Sequence, residues 1–231
     1  MSIYITGDKH GTYDDVFEFC YKYKTTREDI LIILGDSGIN YYLNNKDYIL
    51  KNSLLQLPIT LFCIHGNHEE RPENISSYKT KFFNNGIVYY ENDYPNLLFA
   101  KDGEIYNFNN NQTLVIGGAY SVDKYYRLAH GYNWYESEQP NEEIKQRVKN
   151  NLMLNNNKVD IILTHTCPYK YIPYEAFLTS IDQTIVDNNT EKFLDDIEQN
   201  TVYEKWYCGH FHIDKKIDKI RFMMNDFIEL L

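Results

Sequence analysis

Short apolar runs recur along the chain, and five of them end in a cluster of Gly, Asp, Asn or His. Ser2-Ile3-Tyr4-Ile5-Thr6 leads into Gly7-Asp8, Ile30-Leu31-Ile32-Ile33-Leu34 into Gly35-Asp36, and Thr60-Leu61-Phe62-Cys63-Ile64 into Gly66-Asn67. Ile161-Ile162-Leu163-Thr164 leads into His165, and Lys205-Trp206-Tyr207-Cys208 into Gly209-His210. Unbroken apolar runs of this length between turn residues predict buried strands. Helical spacing marks residues 14–21, after a Thr12 suited to cap them, and also residues 46–56, 141–154 and 190–197. Residues 87–90, 97–100, 104–108 and 113–117 are short strand-like runs with turn residues between, which predicts an antiparallel meander, and 215–218 with 220–224 predicts a closing hairpin. Two facing sheets with helices outside bury all these faces, so the expected fold is α/β: a four-layer α/β/β/α sandwich of two mixed sheets.

Every cluster of polar residues in that pattern sits just past the carboxyl end of a predicted strand, the edge of an α/β sheet where ligands bind. Together Asp8, His10, Asp36, Asn67, His165, His210 and His212 form a mixed oxygen and imidazole donor set. Seven donors exceed what one ion uses. Such a set suits manganese, iron, zinc or nickel better than magnesium or calcium, which prefer oxygen, or copper(I), which prefers thiolate. Two divalent ions roughly 3.5 to 4 Å apart supply both an activated nucleophile and countercharge for an anionic ester. A lone Gly-Asp or an isolated His reads as turn chemistry; five such segments, each at a strand end, point to one site.

The segments Gly7-Asp8-Lys9-His10-Gly11, Gly35-Asp36, Gly66-Asn67-His68-Glu69, His165 and Gly209-His210-Phe211-His212 follow the order D-x-H, G-D, G-N-H-[DE], H, G-H-x-H. In this the chain resembles the calcineurin-like metallophosphoesterase superfamily. The resemblance implies the same sandwich fold and two divalent transition-metal ions, manganese first and iron, zinc or nickel as alternatives. Asp8, His10 and His212 would bind one ion and Asn67, His165 and His210 the other, with Asp36 bridging. It also implies attack on phosphorus by a hydroxide bridging the metals, with His68 as a catalytic group that stabilises the developing charge or protonates the leaving oxygen, oriented by Asp8 or Glu69. Serine/threonine phosphatases of the superfamily continue the second motif as G-D-x-V-D-R-G and carry Arg before G-N-H-E. Here the residues are Gly35-Asp36-Ser37-Gly38-Ile39-Asn40 and His65, which disfavours a phosphoprotein substrate.

The leading expectation is therefore an enzyme hydrolysing phosphate mono- or diesters of a small molecule or nucleotide. A phosphoprotein phosphatase and a noncatalytic scaffold for a partner protein are the alternatives. Candidate substrate contacts are Asn67, Lys9, Arg71 and Arg127, the last on a tyrosine-rich segment, residues 117–127, expected to be a loop whose tyrosines stack on a base. A length of 231 residues suits one domain over 1–231. The net charge of -10 disfavours broad nucleic-acid or anionic-membrane binding, although dications would offset it locally. No apolar run approaches the roughly 20 residues of a membrane helix, and the start of the chain lacks signal-peptide character. Cys20, Cys63, Cys167 and Cys208 are widely spaced and read as thiols of the interior in a reducing compartment. The expected location is the cytoplasm.

Overall fold

The computed structural model describes residues 1–177 and 185–230. In chain order the strands are β1 (Ile3–Thr6), β2 (Ile30–Ile33), β3 (Thr60–Cys63), β4 (Lys79–Phe83), β5 (Gly86–Glu91), β6 (Tyr94–Ala100), β7 (Ile105–Phe108), β8 (Asn111–Ile116), β9 (Ile161–Thr164), β10 (Lys205–Cys208), β11 (Lys215–Ile217), β12 (Ile220–Phe222) and β13 (Ile228–Glu229). The helices are α1 (Asp14–Tyr23), α2 (Asn45–Leu54), α3 (Lys124–His130), α4 (Glu142–Leu154) and α5 (Asn189–Asn200). They form a seven-stranded sheet in the order β13-β1-β2-β3-β6-β5-β4 and a six-stranded sheet in the order β11-β12-β10-β9-β8-β7.

Each sheet has a parallel centre, β1-β2-β3-β6 in one and β8-β9-β10-β12 in the other. Both faces of these strands are covered, which is why they read as unbroken apolar runs rather than alternating ones. The two-residue period still divides their side chains. Ile32, Phe62 and Leu98 point inward and meet Phe108, Val115 and Leu163 of the other sheet in a central core. Leu31, Ile33, Leu61 and Phe99 point outward against Val16 and Phe19 of α1 and Leu54 of α2. On the second sheet Ile116, Ile162 and Trp206 point outward against Val148 and Leu152 of α4 and Leu194 and Ile197 of α5. The result is the four-layer α/β/β/α sandwich.

Three local expectations need correction. The predicted meander is divided: β4, β5 and β6 pair antiparallel in the first sheet, whereas β7 and β8 pair in the second. The chain crosses at Lys101-Asp102-Gly103, where Gly103 takes φ +87°, and the crossing places Tyr106 and Phe108 edge-on to Phe62 in the central core. The tyrosine-rich segment is only partly loop, because residues 124–130 form α3. Gly131 ends that helix at φ 69°, the left-handed cap favoured by glycine. Asn141 caps α4 through its side chain, while α1 starts at Tyr13 without a side-chain cap, so Thr12 does not serve as expected. The predicted closing hairpin is present as β11 and β12. No helix among the described residues is long and apolar enough to cross a membrane. All four cysteines are buried and free.

Candidate metal centre

The carboxyl ends of β1, β2 and β3 in one sheet and of β9 and β10 in the other converge, and each contributes a motif to one place. Asp8 and Asp36 are 2% and 1% exposed, and Asn67 and His165 are equally buried. The Oδ2 of Asp8 lies 3.3 Å from Nε2 of His212 and 3.8 Å from Nε2 of His10. The Oδ2 of Asp36 lies 3.8 Å from Nδ1 of His10 and 3.7 Å from Nε2 of His165. Donor atoms of Asp8, His10 and His212 fall within 4.8 Å of one another, as do those of Asp8, Asp36 and His165. The His210 ring stands edge-on to that of His165, with centroids 5.0 Å apart.

The donor chemistry fits a cation. Nδ1 of His165 is 2.8 Å from the carbonyl oxygen of Leu34, a pure acceptor, so Nδ1 carries a proton and donates it there. In the neutral ring Nε2 then presents a lone pair, and it faces Oδ1 of Asn67 at 2.8 Å. The Asn67 amide is oriented by its Nδ2, which donates to Oγ of Ser121 at 2.9 Å. Two lone pairs aimed at each other in a buried place repel unless a positive charge sits with them. The imidazoles of His10 and His212 meet Nε2 to Nε2 at 2.9 Å.

The sequence profile of the family described as calcineurin-like phosphoesterase matches residues 1–214. The chain belongs to that family. Its members are divalent-metal-dependent phosphoesterases, in keeping with the donor clusters. No curated protein matches the chain. Among solved structures, the TT1561 protein of Thermus thermophilus is similar in fold: 10% identity, 97% of this chain and 89% of that chain covered, TM-score 0.53.

In this calcineurin-like phosphoesterase the motif glycines are explained by what lies against them. A Cβ at Gly66 would collide with Oδ1 and the backbone of Asp36, and one at Gly209 with Oδ1 of Asp8. Each glycine thus lets a carboxylate from a different motif close against the turn. The turns that carry these donors are also strained: His10, Asp36, His210 and His212 have φ of 47°, 46°, 66° and 52°. Left-handed backbone at non-glycine residues costs on the order of 1 kcal/mol or more each and persists where the surrounding fold imposes it. Backbone amides tie the loops together. His210 N–H donates to Asp8, and Lys9 and His10 N–H both donate to the carbonyl of Asp36.

Electrostatics follow from burial and neighbours. Burial works against ionisation of Asp36, but His165, His68 and His10 outweigh it and hold the carboxyl well below the usual range. Burial, reinforced by His165, pushes His210 down to about 3, which keeps its ring a lone-pair donor. A hydrogen bond to Asp8 raises His212. His68 lies on the open side of this cluster; burial lowers it against the opposing pull of Asp36.

Glu69 does not orient His68. Its carboxyl accepts from Ser37 N and Oγ and from Gly66 N, bracing the second and third motifs, and burial followed by the charge of Asp36 raises it to about 8. The carboxylate beside His68 is Asp36, which accepts its N–H at 2.9 Å and stands 3.8 Å from its Nε2.

Of the candidate substrate cations, only Arg127 borders the centre. It lines a groove with His10 and His68, its Nε donating to Asp123 at 2.7 Å and its Nη1 to the Tyr41 hydroxyl at 3.0 Å. Tyr120 lines the neighbouring cavity, but Tyr125 and Tyr126 point to solvent, since α3 turns them outward. Lys9 is buried, pairs with Asp15 at 2.7 Å and lies over the ring of Phe227, so it faces the protein interior rather than a substrate. Arg71 is likewise consumed: Nη1 pairs with Asp102 at 2.5 Å and Nε donates to Ser137 O at 2.7 Å. Both members of the Arg71–Asp102 pair are buried, so Arg71→Ala would strand a buried carboxylate. The expected cost is about 3 to 5 kcal/mol in denaturant unfolding, with metal content per folded chain unchanged. Sequence reasoning did not single out Ser121, which holds the Asn67 amide, or Phe211, although its place between His210 and His212 was a visible signal.

Proposed function

We propose that the chain is a cytoplasmic, single-domain hydrolase of phosphate mono- or diesters of a small molecule or nucleotide, working with two divalent cations. The observation that carries this reading is the convergence of oxygen and imidazole donors, Asp8 with His10 and His212, and Asp8 with Asp36 and His165, where the His165 lone pair faces Oδ1 of Asn67. Asp8, His10 and His212 would hold one cation and Asn67, His165 and His210 the other, with Asp36 within reach of both groups. Asp8 is close to both donor groups, so it also sets the charge between them. Manganese suits this donor set, with iron, zinc or nickel as alternatives. When bound, the cation pair supplies activation of water and countercharge for the phosphate.

The protein's own groups do the rest. Leu34 O fixes the His165 tautomer, and Ser121 fixes the Asn67 amide, so both donors are set before a cation arrives. Asn67 lines the cavity where the ester enters and contacts the phosphate. Arg127, held in place by Asp123 and Tyr41, approaches the phosphate from the side of His10 and His68. His68 lines both the cavity and the groove, which puts its ring where a leaving oxygen departs, and it delivers a proton there.

The test is metal content by elemental analysis together with hydrolysis of p-nitrophenyl phosphate and bis-p-nitrophenyl phosphate. Two transition-metal ions per chain and turnover of at least one ester are expected. One ion or fewer under saturating manganese, or no turnover of either ester, would sink the proposal.

A further inference from the structure

Beside the metal centre lies a cavity of about 470 Å³, and its wall turns apolar within one residue of the ligands. His210 and His212 bracket Phe211, whose ring lines this cavity. Phe211 stacks on Phe177, with centroids 6.0 Å apart and planes 13° apart, and is backed edge-on by Phe222 at 5.9 Å. Tyr174 meets Phe177 edge to face at 5.3 Å, and Tyr169 and Ile172 extend the same wall. Tyr174 and Tyr169 remain 57% and 36% exposed. Aromatic faces are thus left open to solvent next to a centre that handles phosphate, and covering them is favourable for any flat apolar group tied to that phosphate.

Charge points the same way. Among the described residues lining the cavity there is no lysine or arginine, and the charged groups beyond the metal centre are Asp123 and Glu191. The cations Lys46 and Arg127 line the groove on the other side of His68, whereas Lys192, whose Nζ lies over the Tyr169 ring, does not line the cavity. A second phosphate directed into the cavity would meet acids and apolar rings instead of the bidentate donors that phosphate needs. An aromatic ring would find stacking surfaces.

Resting on the phosphoesterase reading above, we infer that the substituent on phosphorus carries a flat, uncharged aromatic or heteroaromatic ring that seats against Phe211, Phe177 and Tyr174. The substrate is accordingly an ester with a single phosphate, not a polyphosphate chain or a phosphorylated peptide.

The test separates binding from chemistry. Calorimetry on the manganese-loaded protein compares methylphosphonate, benzylphosphonate and 4-carboxybenzylphosphonate, none of which has an ester bond to cleave. Benzylphosphonate is expected to bind about 10-fold tighter than methylphosphonate, within the range of a stacked ring, and the added carboxylate is expected to reverse part of that gain. Phe177→Ala should remove most of the benzyl advantage; Tyr174→Ala, at an exposed position, serves if the first variant does not fold. Equal affinity for the benzyl and methyl compounds, a preference for the carboxylate, or an undiminished benzyl advantage in the folded variant overturns the inference. A protein that cleaves no ester yet prefers the benzyl compound would refute the catalytic reading and uphold the cavity assignment. An active esterase that binds the two equally would do the reverse.

Discussion

Asp36→Asn is expected to cut ester hydrolysis by roughly 10³-fold or more and to weaken binding of both cations, the largest loss from any single change in the centre. The substitution keeps the size of the side chain, and an amide oxygen can still accept the His68 N–H that Asp36 now accepts at 2.9 Å. What disappears is the charge. Asp36 is 1% exposed and stands within 3.8 Å of ring nitrogens of His10, His165 and His68, and it is their influence that holds its carboxyl ionised against burial. A neutral amide there leaves two cations sharing a buried space with one shared anion fewer, and several kcal/mol of charge stabilisation go with it. Titration calorimetry with manganese reads the binding loss directly. A variant that still binds two ions at wild-type affinity would remove Asp36 from the shared position, leaving Asp8, whose carboxylate also borders both donor groups, as the bridging residue.

The five donor motifs that converge were legible in the sequence because each is local: an apolar strand followed at once by a donor, in four of the five with a glycine that permits close approach. The central strands β1, β2, β3, β9 and β10 were legible for the same reason. Elements whose identity depends on distant partners were not. The edge strand β4, Lys79–Phe83, is mostly exposed and lacks an apolar run, so its pairing with β5 leaves little local trace. Strand β13 is two residues long and is defined by pairing with β1 at the opposite end of the chain. The crossing at Lys101-Asp102-Gly103 looks like any hairpin turn, and only the inter-sheet core decides that β7 leaves the first sheet.

The same distinction governs the cations. Nothing near Arg71 in sequence announces Asp102, 31 residues on, or Ser137, 66 residues on, so a buried structural arginine reads as an available clamp. Lys9 lies between Asp8 and His10, and its turn inward toward Asp15 and Phe227 depends on the path of the chain. The aromatic wall of the cavity draws on residues 169–177 and on Phe211, which no spacing rule connects.

His68→Ala is expected to lower turnover by about 10²- to 10⁴-fold, the usual worth of a positioned general acid, while two cations remain bound. The residue follows ligand Asn67, yet its ring is not among the donor clusters; it lines the cavity and the groove on either side of the centre. Its backbone N–H to Asp36 survives the substitution, so the turn and the shared carboxylate should stay in place. The loss should depend on the leaving group. Nitrophenolate departs without a proton, whereas an alkoxide does not, so the penalty should be small on p-nitrophenyl phosphate and large on an alkyl phosphate. Equal penalties on both esters would assign His68 to holding the phosphate instead of delivering a proton. A loss of bound metal would make it a ligand, although its ring stands outside the donor clusters that include His10, His165 and His212.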